Sequence, residues 1–85
     1  VGSLHATLVF EGQAAHSARP WQGRNAIHLA GALLSELQRR ERREVIVGGH
    51  TFFEVMSATL AQGGRARNVV PDRFELNLNY RFAPG

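Results

Sequence analysis

Side chains able to ligate a metal, move a proton or attack a substrate are few in this 85-residue chain, and they are scattered. Four histidines, His5, His16, His28 and His50, fall in four different predicted elements, and none shows ligand spacing of the H-E-x-x-H kind. There is no cysteine, which removes thiolate metal sites and disulfides and suits a reducing compartment. No serine has a G-x-S-x-G setting, and Ser17 beside His16 does not face it, as adjacent residues seldom do. Gly63-Gly64-Arg65 mimics a phosphate-binding turn but no helix follows it.

Two residues invite a functional reading. His16 sits in a loop bounded by glycine and proline, where function concentrates and burial does not explain a histidine. Arg81 projects from the polar side of a predicted strand otherwise lined by asparagines, and its planar fork of donors suits a carboxylate. Each has a plainer alternative: His16 as an ordinary surface residue, Arg81 as a surface arginine paired with Glu75 or Glu54. Asn68, before a predicted turn, could equally bond its own backbone. His28 reads as a boundary residue at the edge of an apolar helix stripe.

The elements that must position these residues are set by hydrophobic period. Ser3 to Glu11 alternates and predicts a strand, and Gly12 to Arg24 loses the pattern and predicts a loop. Asn25 can cap a helix with Ile27, Ala30, Leu33, Leu34 and Leu37 on its apolar side, running to about Arg43. Residues 44–50 are ambiguous, since Val45-Ile46-Val47 favours extension and Gly48-Gly49 breaks it. Thr51 to Ala61 predicts a second strand, joined through Gln62 to Asp72 in a wide hairpin to the clearest strand, Phe74 to Phe82. The order strand-helix-strand-strand predicts an α+β fold, an antiparallel sheet with one helix layer.

Composition narrows the class. The net charge is +3, and all ten basic residues are arginine. Arg39, Arg40, Arg42 and Arg43 interleave with Glu36, Glu41 and Glu44 at the predicted helix end, where cations complement the helix dipole, so a solvated helix end explains them. No apolar run approaches the roughly 20 residues of a membrane span, and no leader is recognisable, which predicts a cytoplasmic protein. A domain this small buries only about 60–70% of its unfolded surface, so its stability margin is thin.

Taken together, Gly12-Gln13-Ala14-Ala15-His16-Ser17-Ala18-Arg19-Pro20, the helix-opening Gly23-Arg24-Asn25-Ala26-Ile27, Gly63-Gly64 with Asn68-Val69-Val70-Pro71-Asp72, and Asn79-Tyr80-Arg81-Phe82 resemble a metallopeptidase lid domain. The family includes succinyl-diaminopimelate desuccinylase, which the chain resembles most, acetylornithine deacetylase, aminoacylase and glutamate carboxypeptidase. The resemblance implies a single partial domain over 1–85, a ferredoxin-like lid cut before its second helix and fourth strand. It further implies a separate catalytic domain with two zinc ions, none held by this chain, and a homodimer through helix 25–43 and a sheet edge. The substrate would be an N-acyl amino acid, with a place in lysine and diaminopimelate biosynthesis.

The same resemblance assigns roles. His16 reaches the partner subunit's active site and donates to the scissile carbonyl oxygen as zinc-bound hydroxide attacks. Asn68 contacts substrate near the scissile amide, Arg81 holds a substrate carboxylate, and Arg19 touches the substrate beside the histidine. Two competing classes are a basic α+β RNA-binding module and a plain oligomerisation domain. Ferredoxin-like RNA binders stack bases on aromatic side chains of the open sheet face, where this chain carries Glu75, Asn77 and Asn79. Neither nucleic acid nor membrane is the expected partner.

Overall fold

In the computed structural model, which describes residues 2–84, the elements run β1 (Gly2–Glu11), β2 (Ala15–His16), a 3-10 turn (Pro20–Gln22), α1 (Ala26–Leu29), α2 (Gly31–Arg39), β3 (Arg43–Val47), β4 (His50–Gly63), β5 (Val69–Val70) and β6 (Arg73–Phe82). The chain is an α+β lid of the ferredoxin-like kind, with the antiparallel sheet ordered β1-β6-β4-β3 and a separate two-stranded ribbon of β2 and β5.

Register follows from the period of two. Phe10 pairs with Phe74, Leu8 with Leu76 and Ala6 with Leu78, so the apolar sides of β1 and β6 coincide while Thr7, Val9, Glu75 and Asn77 share the other face. The helices lie on the apolar face, where Ala26 and Ala30 are fully buried against Phe74 and Leu76, with Phe10 and Leu33 packed around them. Alanine at these two positions lets the helix approach the sheet closely. Asn25 sets the phase of that approach: its Oδ1 accepts hydrogen bonds from the Ile27 and His28 N–H groups at 2.9 and 3.2 Å.

Three sequence expectations need correction. The single helix from Asn25 to Arg43 is two consecutive short helices, interrupted at Ala30 ahead of Gly31, and the second ends at Arg39. Arg40 turns extended (φ −69°, ψ 131°) because the β-branched run Val45-Ile46-Val47 pairs as a strand. The apolar stripe is also rotated: Ile27 and Leu34 face outward, while Leu29, Leu33 and Leu37 are half-buried beside the two alanines. Finally, the main sheet has four strands where three were expected. Gly48 and Gly49, at φ 58° and 79°, make the two-residue turn that a tight hairpin of right-handed twist requires, so residues 43–54 fold back on themselves.

That hairpin projects. β3 pairs with residues 50–54 of β4, whereas β6 pairs with residues 55–63, and the molecule measures 58 × 19 × 16 Å. Glu54 ties the base of the arm to the end of β6, accepting from Tyr80 O–H at 3.3 Å and Ala83 N–H at 3.0 Å.

At the opposite end the long loop after β1 is pinched shut. Gln13 and Arg24 exchange two backbone hydrogen bonds of 2.9 and 2.8 Å, forming an isolated antiparallel bridge. The approach is possible only because both flanking positions lack a side chain: a Cβ on Gly12 would overlap the Arg24 carbonyl oxygen, and one on Gly23 would overlap the Gln13 carbonyl oxygen. Gly12→Ala is therefore expected to open this neck at a cost of about 2 kcal/mol, raising hydrogen exchange at the Gln13 and Arg24 amides about 30-fold while β6 amides stay protected. Site-resolved hydrogen exchange measures both.

Candidate functional site

Beyond the neck, loop 12–24 is zipped to the segment before β6. His16 pairs with Val69 and Ala15 with Val70, Ser17 N–H donates to the Asn68 carbonyl at 2.9 Å, and Gly12 N–H donates to the Asp72 carbonyl at 2.8 Å. Ala26 N–H, at the helix start, donates to the Pro71 carbonyl at 2.9 Å. The Asn-Val-Val-Pro-Asp run thus serves as the wall against which the histidine loop is held, besides linking β4 to β6.

This arrangement brings His16 and Asn68 next to each other, both exposed, with Arg19 on the same turn. The turn is closed by Arg19 N–H donating to the His16 carbonyl at 2.9 Å, and Ala18 N–H donates to Nδ1 of the His16 ring at 3.0 Å. The 3-10 turn that follows starts at Pro20, whose fixed φ suits a first helical position, and carries Trp21 outward at 76% exposure.

Arg81 does not join this group. It lies opposite Ser3 and Val55, and eight residues of strand separate it from Arg73 beside the neck, roughly 26 Å at about 3.3 Å per residue. Its plainer reading as half of an ion pair is not what the structure shows. Glu75 is bonded to Arg73, whose pKa that hydrogen bond and charge raise, and Glu54 is engaged by Tyr80, the Ala83 N–H and, at 3.9 Å, Arg43. Among the described residues Arg81 is exposed and has no ion pair.

An open cleft of about 490 Å³ lies beside the neck, lined by Gln62, Arg65, Asp72, Arg73 and Glu75. Both of its guanidinium groups are already neutralised, Arg65 by Asp72 at 2.6 Å and Arg73 by Glu75. The polar sheet face is hydrogen-bonded within itself, Asn77 to Thr59 and Asn79 to His5, and among the described residues of β1 and β6 the aromatic ring it presents is the His5 imidazole, already engaged by Asn79. Among the described residues no group of three or more His, Cys, Asp or Glu side chains could hold a metal, and no helix is long and apolar enough to cross a membrane. The site therefore offers an imidazole and a carboxamide side by side, two groups able to polarise a carbonyl.

Sequence reasoning singled out His16 through its loop, Arg81 through its place on the polar side of a strand, and Asn68 and Arg19 through resemblance. It missed the Gln13–Arg24 bridge and the outward Trp21; glycines at both ends of the loop were the available signal for the first, the Pro-Trp pair for the second.

Comparison with known proteins bears on this geometry. A Mycobacterium tuberculosis protein assigned as a succinyl-diaminopimelate desuccinylase is 47% identical over 83 residues, covering 98% of this chain and 23% of that protein. The succinyl-diaminopimelate desuccinylase of Corynebacterium glutamicum is 39% identical over 83 residues, covering 98% of this chain and 22% of its own length. The chain thus spans under a quarter of the relatives it matches. Among solved structures, an aminobenzoyl-glutamate utilization protein from Klebsiella pneumoniae superposes with a TM-score of 0.73 at 26% identity, over 93% of this chain and 19% of that one. A Staphylococcus aureus tripeptidase shares the fold, with a TM-score of 0.69 at 22% identity over 92% of this chain and 19% of its own. The family model described as peptidase dimerisation domain matches residues 1–85, and the chain belongs to that family.

Proposed function

We propose that the chain is the dimerisation and substrate-completing lid of a cytoplasmic zinc-dependent amidohydrolase, with N-succinyl-diaminopimelate as the substrate its relatives' names favour. One observation carries the reading: His16 and Asn68 stand together, outward, on two loops clamped to each other, in a chain whose described residues hold no metal-ligating cluster to go with them. Such a pair is useful only to an active site on another body. The two zinc ions and the bond-breaking chemistry belong to the catalytic domain of the parent, since the residues here do not fit a metal.

His16 supplies a hydrogen bond to the scissile carbonyl oxygen, where negative charge develops, and Asn68 orients the amide beside it. Arg81, which has no ion pair among the described residues, holds a substrate carboxylate; roughly 26 Å of strand keeps it from sharing one substrate with His16 of the same copy. His16 and Asn68 therefore serve the partner subunit's site, and Arg81 serves its own. Arg19, on the histidine's turn, adds positive charge at the approach. In the full-length parent, His16→Ala is expected to lower kcat by about 100- to 1,000-fold with KM changed far less, because the interaction is made in the transition state. Steady-state kinetics decides it, and an unchanged kcat would remove His16 from the reaction.

Self-association is the second part of the proposal, through the outer side of the helix region 25–43 and a sheet edge. Ile27 and Leu34 remain 39% and 36% exposed there, and between them Gly31 has open space where a side chain would stand, room for a second backbone. β3 covers only residues 50–54 of β4, so the outer edge of 55–63 is open for pairing. Leu34→Glu is expected to leave the fold intact and weaken the dimer by about tenfold or more, because a charge replaces an apolar contact. Sedimentation equilibrium over a concentration series measures the shift.

A further inference from the structure

The contact between Ala18 N–H and His16 Nδ1, at 3.0 Å, restricts the histidine more than its position does. A backbone amide nitrogen can only donate, so Nδ1 must be the acceptor and must carry its lone pair rather than a proton. The ring's single proton then resides on Nε2. Nothing else competes for that assignment: no carboxylate is hydrogen-bonded or ion-paired to His16 among the described residues, and the ring is exposed on its other side.

The donor is itself fixed by structure. Ala18 sits inside the turn closed by Arg19 N–H to the His16 carbonyl at 2.9 Å, and the preceding amide, Ser17 N–H, is held by the Asn68 carbonyl at 2.9 Å. The amide groups after His16 thus have assigned partners, and the Ala18 N–H is aimed at the imidazole by the backbone alone. A side chain at 18 plays no part, so the device depends on the turn rather than on residue type.

We infer that the Ala18 amide is a positioning group that holds His16 as the neutral Nε2–H tautomer and turns that one proton outward. Resting on the role proposed for His16, this makes Nε2 the atom that meets the substrate carbonyl oxygen. It also makes the ring a hydrogen-bond donor that keeps its proton, stabilising the developing oxyanion by polarity. The tautomer needs no substrate and no metal, so it is present before any active site is assembled.

The test is nitrogen NMR on the uniformly labelled chain, above the histidine titration range. A through-hydrogen-bond coupling between the Ala18 amide nitrogen and His16 Nδ1 is expected, with long-range proton–nitrogen correlations placing the His16 ring proton on Nε2. Among the described residues no hydrogen bond reaches the ring nitrogens of His28 and His50, which serve as internal references for an unconstrained tautomer mixture. A His16 ring protonated on Nδ1, averaged like the references, or a well-resolved Ala18 amide with no coupling would overturn the inference. Loss of the catalytic role would instead show only in the turnover of the parent's His16→Ala variant, leaving the NMR result untouched.

Discussion

The site depends on a backbone closure: the bridge between Gln13 and Arg24, which brings the two ends of a long loop together where glycines at 12 and 23 leave room. Two backbone hydrogen bonds contribute only about 1 kcal/mol each on balance, less than the entropy of ordering the residues between them. The closure therefore holds because the segment 68–72 accepts three further backbone donors, from Gly12, Ser17 and Ala26. His16 inherits its direction from this lattice of main-chain bonds. Its side chain can stay exposed and still be aimed, since packing does not have to aim it.

Shape explains why such a construction is useful. A compact domain of this length would have a radius of gyration of about 12 Å, against 17.2 Å here. The buried apolar set is small, Ala26, Ala30, Val70, Phe74 and Leu76, and it clusters at the end near the neck. Leu4, Ile46 and Leu60 stay 60%, 68% and 67% exposed. Sheet edge, helix back and protruding hairpin leave much of the surface free for contact with another body, as fits a dimerisation domain. The apolar surface left open is where such joining would recover the stability that a small core lacks.

The period-two strands were legible in sequence because their apolar sides alternate and coincide in register: residues 3–11 and 74–82 came out within one residue of β1 and β6. The helix was legible in position but not in extent. Local propensity continues through residue 43, and only the pairing of 43–47 with β4, a tertiary event, ends it at Arg39. The outward turn of Ile27 and Leu34 was hidden for a similar reason, as two alanines rather than the larger side chains face the sheet. Of the site, His16 could be singled out from its loop, but its alliance with Asn68 joins residues 52 positions apart through β2 and β5, strands too short to show any period. Arg81's separation from them follows from strand length and could have been counted in advance; that no ion pair forms to it among the described residues could not.

Subunit complementation in the full-length parent tests the division of labour most directly. On the proposed division of labour, a His16→Ala subunit combined with an Arg81→Ala subunit gives a heterodimer in which one active site takes an intact His16 from one chain and an intact Arg81 from the other, while the second site lacks both. Purified heterodimer, isolated by two affinity tags, is expected to regain about half the wild-type turnover per dimer, although each homodimer is nearly inactive. Activity no higher than that of the two homodimers would mean that His16 and Arg81 serve the same subunit's site, and would contradict the placement of His16 across the dimer.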